Sequence, residues 1–308
     1  MTEGSRKAIL AALFANLGLA IAKFVSFLFT GASSMLAESV HSVADSANQG
    51  LLILGGHRAR REPTREHPFG FGRERYFWAF VVALVLFSMG AVFAVYEGFE
   101  KLSHPVPLSS PGWAVGVLVV GLLLEGASLR TAVRESRSAR GDGSWWEFVR
   151  HSKSPELPVV LLEDTGAMLG LLFALAGVGL AVLTGDARFD GFASIAIGVL
   201  LAVIAVVMAI EMKSLLMGES ATPATIEAIR STLQSHPQVV RIIHMRTQHL
   251  GPDELLVAAK IEFAVELGFP ELARAIDVIE SSVRERVPIA RAIYLEPDIQ
   301  HGGHEPAA

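Results

Sequence analysis

The stretch AESVHSVADSANQ, residues 37–49, sets Glu38, His41 and Asp45 into a run that otherwise reads as an apolar helix. At 3.6 residues per turn, Glu38, His41, Asp45 and then Asn48 or Gln49 fall on one stripe. His41 and Asp45 put an imidazole nitrogen and a carboxylate one turn apart, within reach of a single divalent ion at the bonds of about 2.0–2.2 Å that zinc makes. Two ligands do not hold an ion alone. A second apolar run, PVVLLEDTGAMLGLL, supplies Glu163 and Asp164. Being consecutive, these two point about 100° apart, so one of them faces the stripe directly, with Asp164 the first choice and Glu163 the reserve.

Each charge in hydrocarbon costs roughly 2.5–3.5 kcal/mol on insertion scales. A single intramembrane His or Asp serves as readily to hydrogen-bond a neighbouring helix. Four ionisable groups on two helices, with a His and Asp at i, i+4, point instead to an ion site facing protein or a wet cavity. The absence of cysteine restricts any ligand set to nitrogen and oxygen donors. Lys23 reads as a snorkelling group or the neutraliser of an excess carboxylate. Glu97 and Glu125 read as solvated or capping groups near segment ends.

The elements that must position these residues follow from composition. Hydrophobic residues make up 51% of the chain and its mean hydropathy is +0.45, above the range of soluble globular chains. Six segments are long enough to cross a bilayer: 8–30, 33–55, 76–98, 112–133, 158–183 and 188–211. The first is too long for a signal peptide and is expected to remain as a transmembrane helix. Arg58, Arg60, Arg61, Arg65, Arg73 and Arg75 fill one loop and Arg134, Arg137, Arg140, Arg150 and Lys153 another, whereas the opposite loops carry almost no basic residue. The positive-inside rule therefore predicts that both termini are cytoplasmic, and the expected location is the inner (cell) membrane, as a multi-pass protein. Tyr76, Trp78 and Trp113 stand where aromatic interface anchors belong.

Beyond residue 215 the pattern returns to soluble alternation. Thr222 is positioned to cap a helix with Pro223 at its first position. Residues 239–247 and 255–263 read as strands joined by a turn at QHLGPDE; Leu272, Ile276, Ile279 and Val283 mark a second helix, and ARAIYLEP a last strand. The predicted organisation is an α-helical transmembrane domain over 1–215, a small α+β domain of α-β-β-α-β order over 216–298, and a flexible tail over 299–308 holding His301 and His304. So small a core favours dimerisation. Thirteen acidic against eight basic residues from 219 onward argue against nucleic acid as a partner.

On these residues the chain resembles the cation diffusion facilitators, transporters that export zinc and related divalent metals. The likeness rests on SSMLAESVHSVADSANQ, HPFGFGRER and FDGFASIAIGVLL, and LLEDTGAMLG and RTQHLGPDELLVAAKIEF place it nearest the branch of a mitochondrial zinc transporter. The resemblance implies six transmembrane helices with a ferredoxin-like cytoplasmic domain, a homodimer in the lipid bilayer, and exchange of a divalent cation for protons at a tetrahedral site between the second and fifth helices. His41 followed by Asp45 is the pattern that goes with Zn2+. Where relatives carry a second His, four before Asp164, this chain has Val160; Glu163, Glu38 or water must then complete the shell. Histidine sites of relatives are also altered, with Phe71 four after His67, and Lys260 and Tyr294 in the C-terminal strands beside His244, His249 and Glu296.

The expected function is thus a proton-coupled efflux antiporter, with zinc the first substrate and Mn2+, Co2+ or Fe2+ the alternatives that an oxygen-richer shell admits. A membrane scaffold or metal sensor is the rival from another class. An enzyme is not expected, because no nucleophile and base pair, phosphate loop or cofactor motif accompanies the membrane segments.

Overall fold

The computed structural model describes residues 3–299; the His301 and His304 tail lies outside the described residues. Six long helices run through the first two thirds: α1 (Glu3–Thr30), α2 (Ser33–Arg58), a rod over Glu74–Ser103, α5 (Pro111–Arg140), α7 (Glu156–Thr184) and α8 (Arg188–Met217). The rod joins α3 (Glu74–Val81) to α4 (Ser88–Ser103) through a π-helical stretch, Val82–Phe87. By length and apolar composition, four qualify as membrane spans among the described residues: Glu74–Ser103, Pro111–Arg137, Glu156–Thr184 and Arg188–Met217. The apolar part of α1 that is described, Leu17–Thr30, is shorter. The length of α2 suffices, but Glu38, His41, Asp45, Asn48 and five buried serines dilute its hydropathy.

One element has no counterpart in the sequence reading. The seven-residue α6 (Trp145–His151) begins at a capping box, in which the Ser144 hydroxyl accepts from the Glu147 amide at 3.1 Å and Glu147 Oε2 accepts from the Ser144 amide at 2.8 Å. Phe148 of α6 packs with Ala132 of α5 and Leu161 of α7. Tyr76 also departs from expectation. It is fully buried with its hydroxyl donating to the Lys153 carbonyl at 3.0 Å, whereas Trp113 is exposed as an interface anchor should be.

The chain divides into two units. One takes the residues up to His57 and Tyr76–Lys213; the other takes Arg58–Arg75 and the chain from Ser214. In the second unit the order is α9 (Pro223–Gln234), β1 (Val239–Gly251), β2 (Glu254–Phe263), α10 (Phe269–Arg286) and β3 (Ala290–Pro297). Thr222 caps α9, accepting from the Thr225 amide at 3.3 Å. The sheet runs β1-β2-β3, antiparallel between the first two and parallel between the last two. Every second residue of β2 is buried, so Leu255, Val257, Ala259, Ile261 and Phe263 meet Ile229 and Leu233 of α9 and Ile279 and Val283 of α10 in one core. The Arg58–Arg75 loop packs on the β1–β2 turn. Gly72 lies against the backbone of Leu250 and Gly251, with no room for a Cβ, and Arg75 Nη1 bonds Asp253 Oδ2 at 2.7 Å.

Candidate metal centre

The polar stripe of α2 is held from its first turn. Asp190, buried at the start of α8, accepts from the Ser33 amide at 2.7 Å and the Ser34 amide at 3.3 Å, and from both serine hydroxyls. These amides are among the first four of α2, which no helical carbonyl satisfies, and a carboxylate there also complements the helix dipole. The FDG motif that opens α8 is in this way the cap of α2.

Below this clamp the stripe turns inward. Glu38, His41, Asp45 and Asn48 are each at most 6% exposed, while Val43 on the opposite face is 51% exposed. His41 Nδ1 and Asp45 Oδ1 stand 3.4 Å apart. From α7, Glu163 and Asp164 are both buried. They do point apart, and it is Glu163 that reaches α2, accepting from Asn48 Nδ2. Asp164 accepts instead from Ser128 Oγ of α5 at 2.9 Å. Glu38 is taken by α1: Lys23 Nζ donates to Glu38 Oε2 at 3.0 Å and to Ser42 Oγ at 2.7 Å. Lys23 is completely buried, so it neutralises a carboxylate and does not snorkel. The Glu38 carboxylate lies directly against Gly170 of α7, where a Cβ would overlap Oε1.

The five predicted site residues thus lie buried on α2 and α7, where His41 and Asp45 face each other while Glu38, Glu163 and Asp164 each bond a different partner. Among the described residues no three His, Asp or Glu side chains are gathered closely enough to hold an ion. Two buried oxygens in this region have no hydrogen-bond partner, Glu38 Oε1 and Asn48 Oδ1. A buried acceptor left unsatisfied is costly, and a cation or a protonated neighbour is what satisfies one.

Glu125 corrects the sequence reading. It is 8% exposed in the middle of α5, a third helix that carries a buried carboxyl. The signal was present in the sequence, since Leu118, Glu125 and Ala132 recur every seven residues and all three are buried. Of the altered histidine positions, His67 stacks near Phe71 with ring centroids 4.7 Å apart, His249 is buried with Nδ1 3.2 Å from the Gly251 carbonyl oxygen, and Lys260 bonds Glu296 and Asp298 at 3.1 and 2.9 Å.

The cation efflux transmembrane domain model matches residues 9–217. The chain is 34% identical over 263 residues to the proton-coupled zinc antiporter SLC30A9, mitochondrial, of Mus musculus, and equally to that of Homo sapiens, covering 85% of this chain and 46% of each relative. It is 28% identical to metal tolerance protein C4 of Arabidopsis thaliana, over 85% of this chain and 58% of that protein. The cation-efflux pump FieF of Salmonella newport is 25% identical over 92% of this chain and 89% of its own length. The chain spans about half the length of the antiporters it matches.

Proposed function

Since the chain belongs to the cation efflux family, we propose that it is a proton-coupled antiporter that expels a divalent metal cation, Zn2+ first among them. The observation that carries this reading is the buried meeting of α2 and α7. There Asn48 bonds Glu163, His41 and Asp45 stand one turn apart, and Glu38 Oε1 and Asn48 Oδ1 lack partners among the described residues. His41, Asp45, Asp164 and Glu163 are the ligands in this proposal, with Glu38 held in reserve by Lys23. The pairs draw together around the ion, each exchanging its present partner for the metal.

Coupling follows from the ligand chemistry. Carboxylates and imidazole bind metal only in their deprotonated forms, so each ion taken up releases protons and each ion released invites them back. The relatives named as proton-coupled zinc antiporters support zinc and protons as the exchanged pair. The C-terminal unit is a dimerisation element in this reading, and the protein sits as a homodimer in the inner membrane of the cell; the basic loops support cytoplasmic termini. It is a transporter and performs no enzymatic turnover.

A second reading has an observation of its own. Val160 stands where a further imidazole would be, leaving one histidine among carboxylates and an amide oxygen. Such a shell suits Mn2+, Co2+ or Fe2+ as well as Zn2+.

The test is metal uptake into proteoliposomes with an imposed pH gradient, comparing the four ions for the wild type, Asp45→Ala and Asp164→Ala. Uptake that needs the gradient and is abolished in both variants supports the antiporter and names its ion. Absence of flux with every ion, in protein that still assembles, rejects transport and leaves the scaffold or sensor.

A further inference from the structure

Helix α5 has two opposed faces. Leu118, Glu125, Ala132 and Ser136 are buried, and at 100° per residue they fall on one narrow sector. Turned about 100–180° away from it, Val119 and Leu123 are 43% and 71% exposed. The same outward stripe continues at Arg130, Arg134 and Arg137, all exposed. These three arginines and Val133 line a cleft of about 430 Å³.

The neighbouring arginines are occupied. The Arg140 guanidinium lies 4.5 Å from the Trp145 ring centroid, and Arg150 Nε is 3.4 Å from Glu211 Oε1. Among the described residues, no carboxylate pairs with Arg130, Arg134 or Arg137. Glu135, the nearest acid in sequence, projects more than about 90° away from the stripe. Counted from Pro111, where this span begins, about twenty residues at 1.5 Å each cross the roughly 30 Å of hydrocarbon, which puts Arg130 at its far edge. Arg130 lies seven residues after Leu123, about 10 Å along the helix and at the foot of the apolar stripe.

We propose that Arg130, Arg134 and Arg137 form a binding site for the phosphodiester headgroup of an anionic phospholipid, whose acyl chains lie along Val119 and Leu123. Three cations on one outward face, without a carboxylate partner among the described residues and directly continuous with an outward apolar strip, match a ligand that is anionic at one end and apolar at the other. Guanidinium forks bind phosphate oxygens in pairs, and basic pockets beside transmembrane helices hold anionic lipids by the same chemistry. Inorganic phosphate has the charge but no use for the apolar strip.

The experiment is native mass spectrometry of the full chain in detergent, titrated with phosphatidylglycerol or phosphatidylcholine of equal acyl length. The wild type is expected to bind phosphatidylglycerol at least tenfold more tightly. The triple variant Arg130→Gln, Arg134→Gln, Arg137→Gln should lose that preference, and a control with Arg60→Gln, Arg65→Gln, Arg73→Gln should keep it. Equal binding of the two lipids by the wild type, an unchanged preference in the triple variant, or an equal loss in the control overturns the proposal. Displacement of the lipid by millimolar inorganic phosphate assigns the cleft to free phosphate and also overturns it. If the triple variant does not fold, a diazirine phosphatidylglycerol on the wild type decides the matter: labelling within Pro111–Arg140 supports the site, and labelling only elsewhere rejects it. No arm involves metal, so this site and the antiporter reading stand or fall separately.

Discussion

Lys23 Nζ stands 3.0 Å from Glu38 Oε2, and neither side chain has any exposure to solvent. Removing one partner of a buried ion pair costs about 3–5 kcal/mol, because the other charge is left alone, whereas removing both is often close to neutral. Lys23→Met is therefore expected to lower the melting temperature in detergent, and Lys23→Met with Glu38→Gln to restore most of it. A double variant no more stable than the single one counts against the pair.

Gly170 and Gly179 both lie in α7 but meet different surroundings. A Cβ at Gly170 collides with the Glu38 carboxylate, while one at Gly179 meets nothing within 4 Å. Gly170→Ala should cost about 1–3 kcal/mol as an overpacked site. Gly179→Ala, gaining helix propensity without contact, should be neutral or stabilising. Thermal melts of the two single variants give the comparison directly.

Asn48 orients Glu163 from the neighbouring helix. Groups that orient a metal ligand through a hydrogen bond typically govern 10–100-fold in affinity, so Asn48→Ala should weaken zinc binding by about that factor. Calorimetric titration of the purified protein reads this out. An affinity unchanged by Asn48→Ala removes Glu163 from the proposed ligand set.

A pH dependence is expected at α6. The Ser144 amide, and after it the Ser144 hydroxyl, hold the Glu147 carboxyl below its ordinary value of 4.5. A carboxyl lowered by folding contributes stability that is complete above its unfolded value and fades as pH falls through the folded one. Amide protection over Trp145–His151 should accordingly decline below about pH 4.5. In Glu147→Gln, which keeps an acceptor for the box but has no carboxyl to titrate, the decline should vanish; hydrogen exchange across this window tests both.

Asp190 gathers the first amides of α2. Loss of a helix cap costs about 0.5–2 kcal/mol, so Asp190→Ala should speed exchange at Ser33 and Ser34, and Asp190→Asn, which keeps an acceptor, should do so less. Equal exchange rates in all three proteins would mean that the clamp is not formed in the membrane.

The sequence made one part of this site readable and hid another, for physical reasons. Glu38, His41, Asp45 and Asn48 declared themselves because a helix repeats every 3.6 residues and charge inside an apolar run has to be explained. The order of helices and strands in the C-terminal unit was equally open, since the alternation of Leu255 to Phe263 is purely local. Glu125 was misjudged because α5 was expected to stop near 133 and runs to Arg140, which moves a supposed end group to mid-helix. The choice of Glu163 for α2 and Asp164 for Ser128 depends on how α7 is rotated against two neighbours, which no spacing within α7 contains. The small α6 escaped because seven residues are too few for a period to show.

The Asp190 clamp also bears on the order in which the protein is made. Its two ends are 157 residues apart, at Ser33 near the first hairpin and Asp190 at the head of the last long helix. A chain emerging from the ribosome inserts α2 with its leading amides not yet capped by a side chain. They stay so through the synthesis of three further spans. The polar stripe of α2 therefore acquires its fixed starting point only when α8 arrives, and a chain interrupted before that helix would leave its second span uncapped.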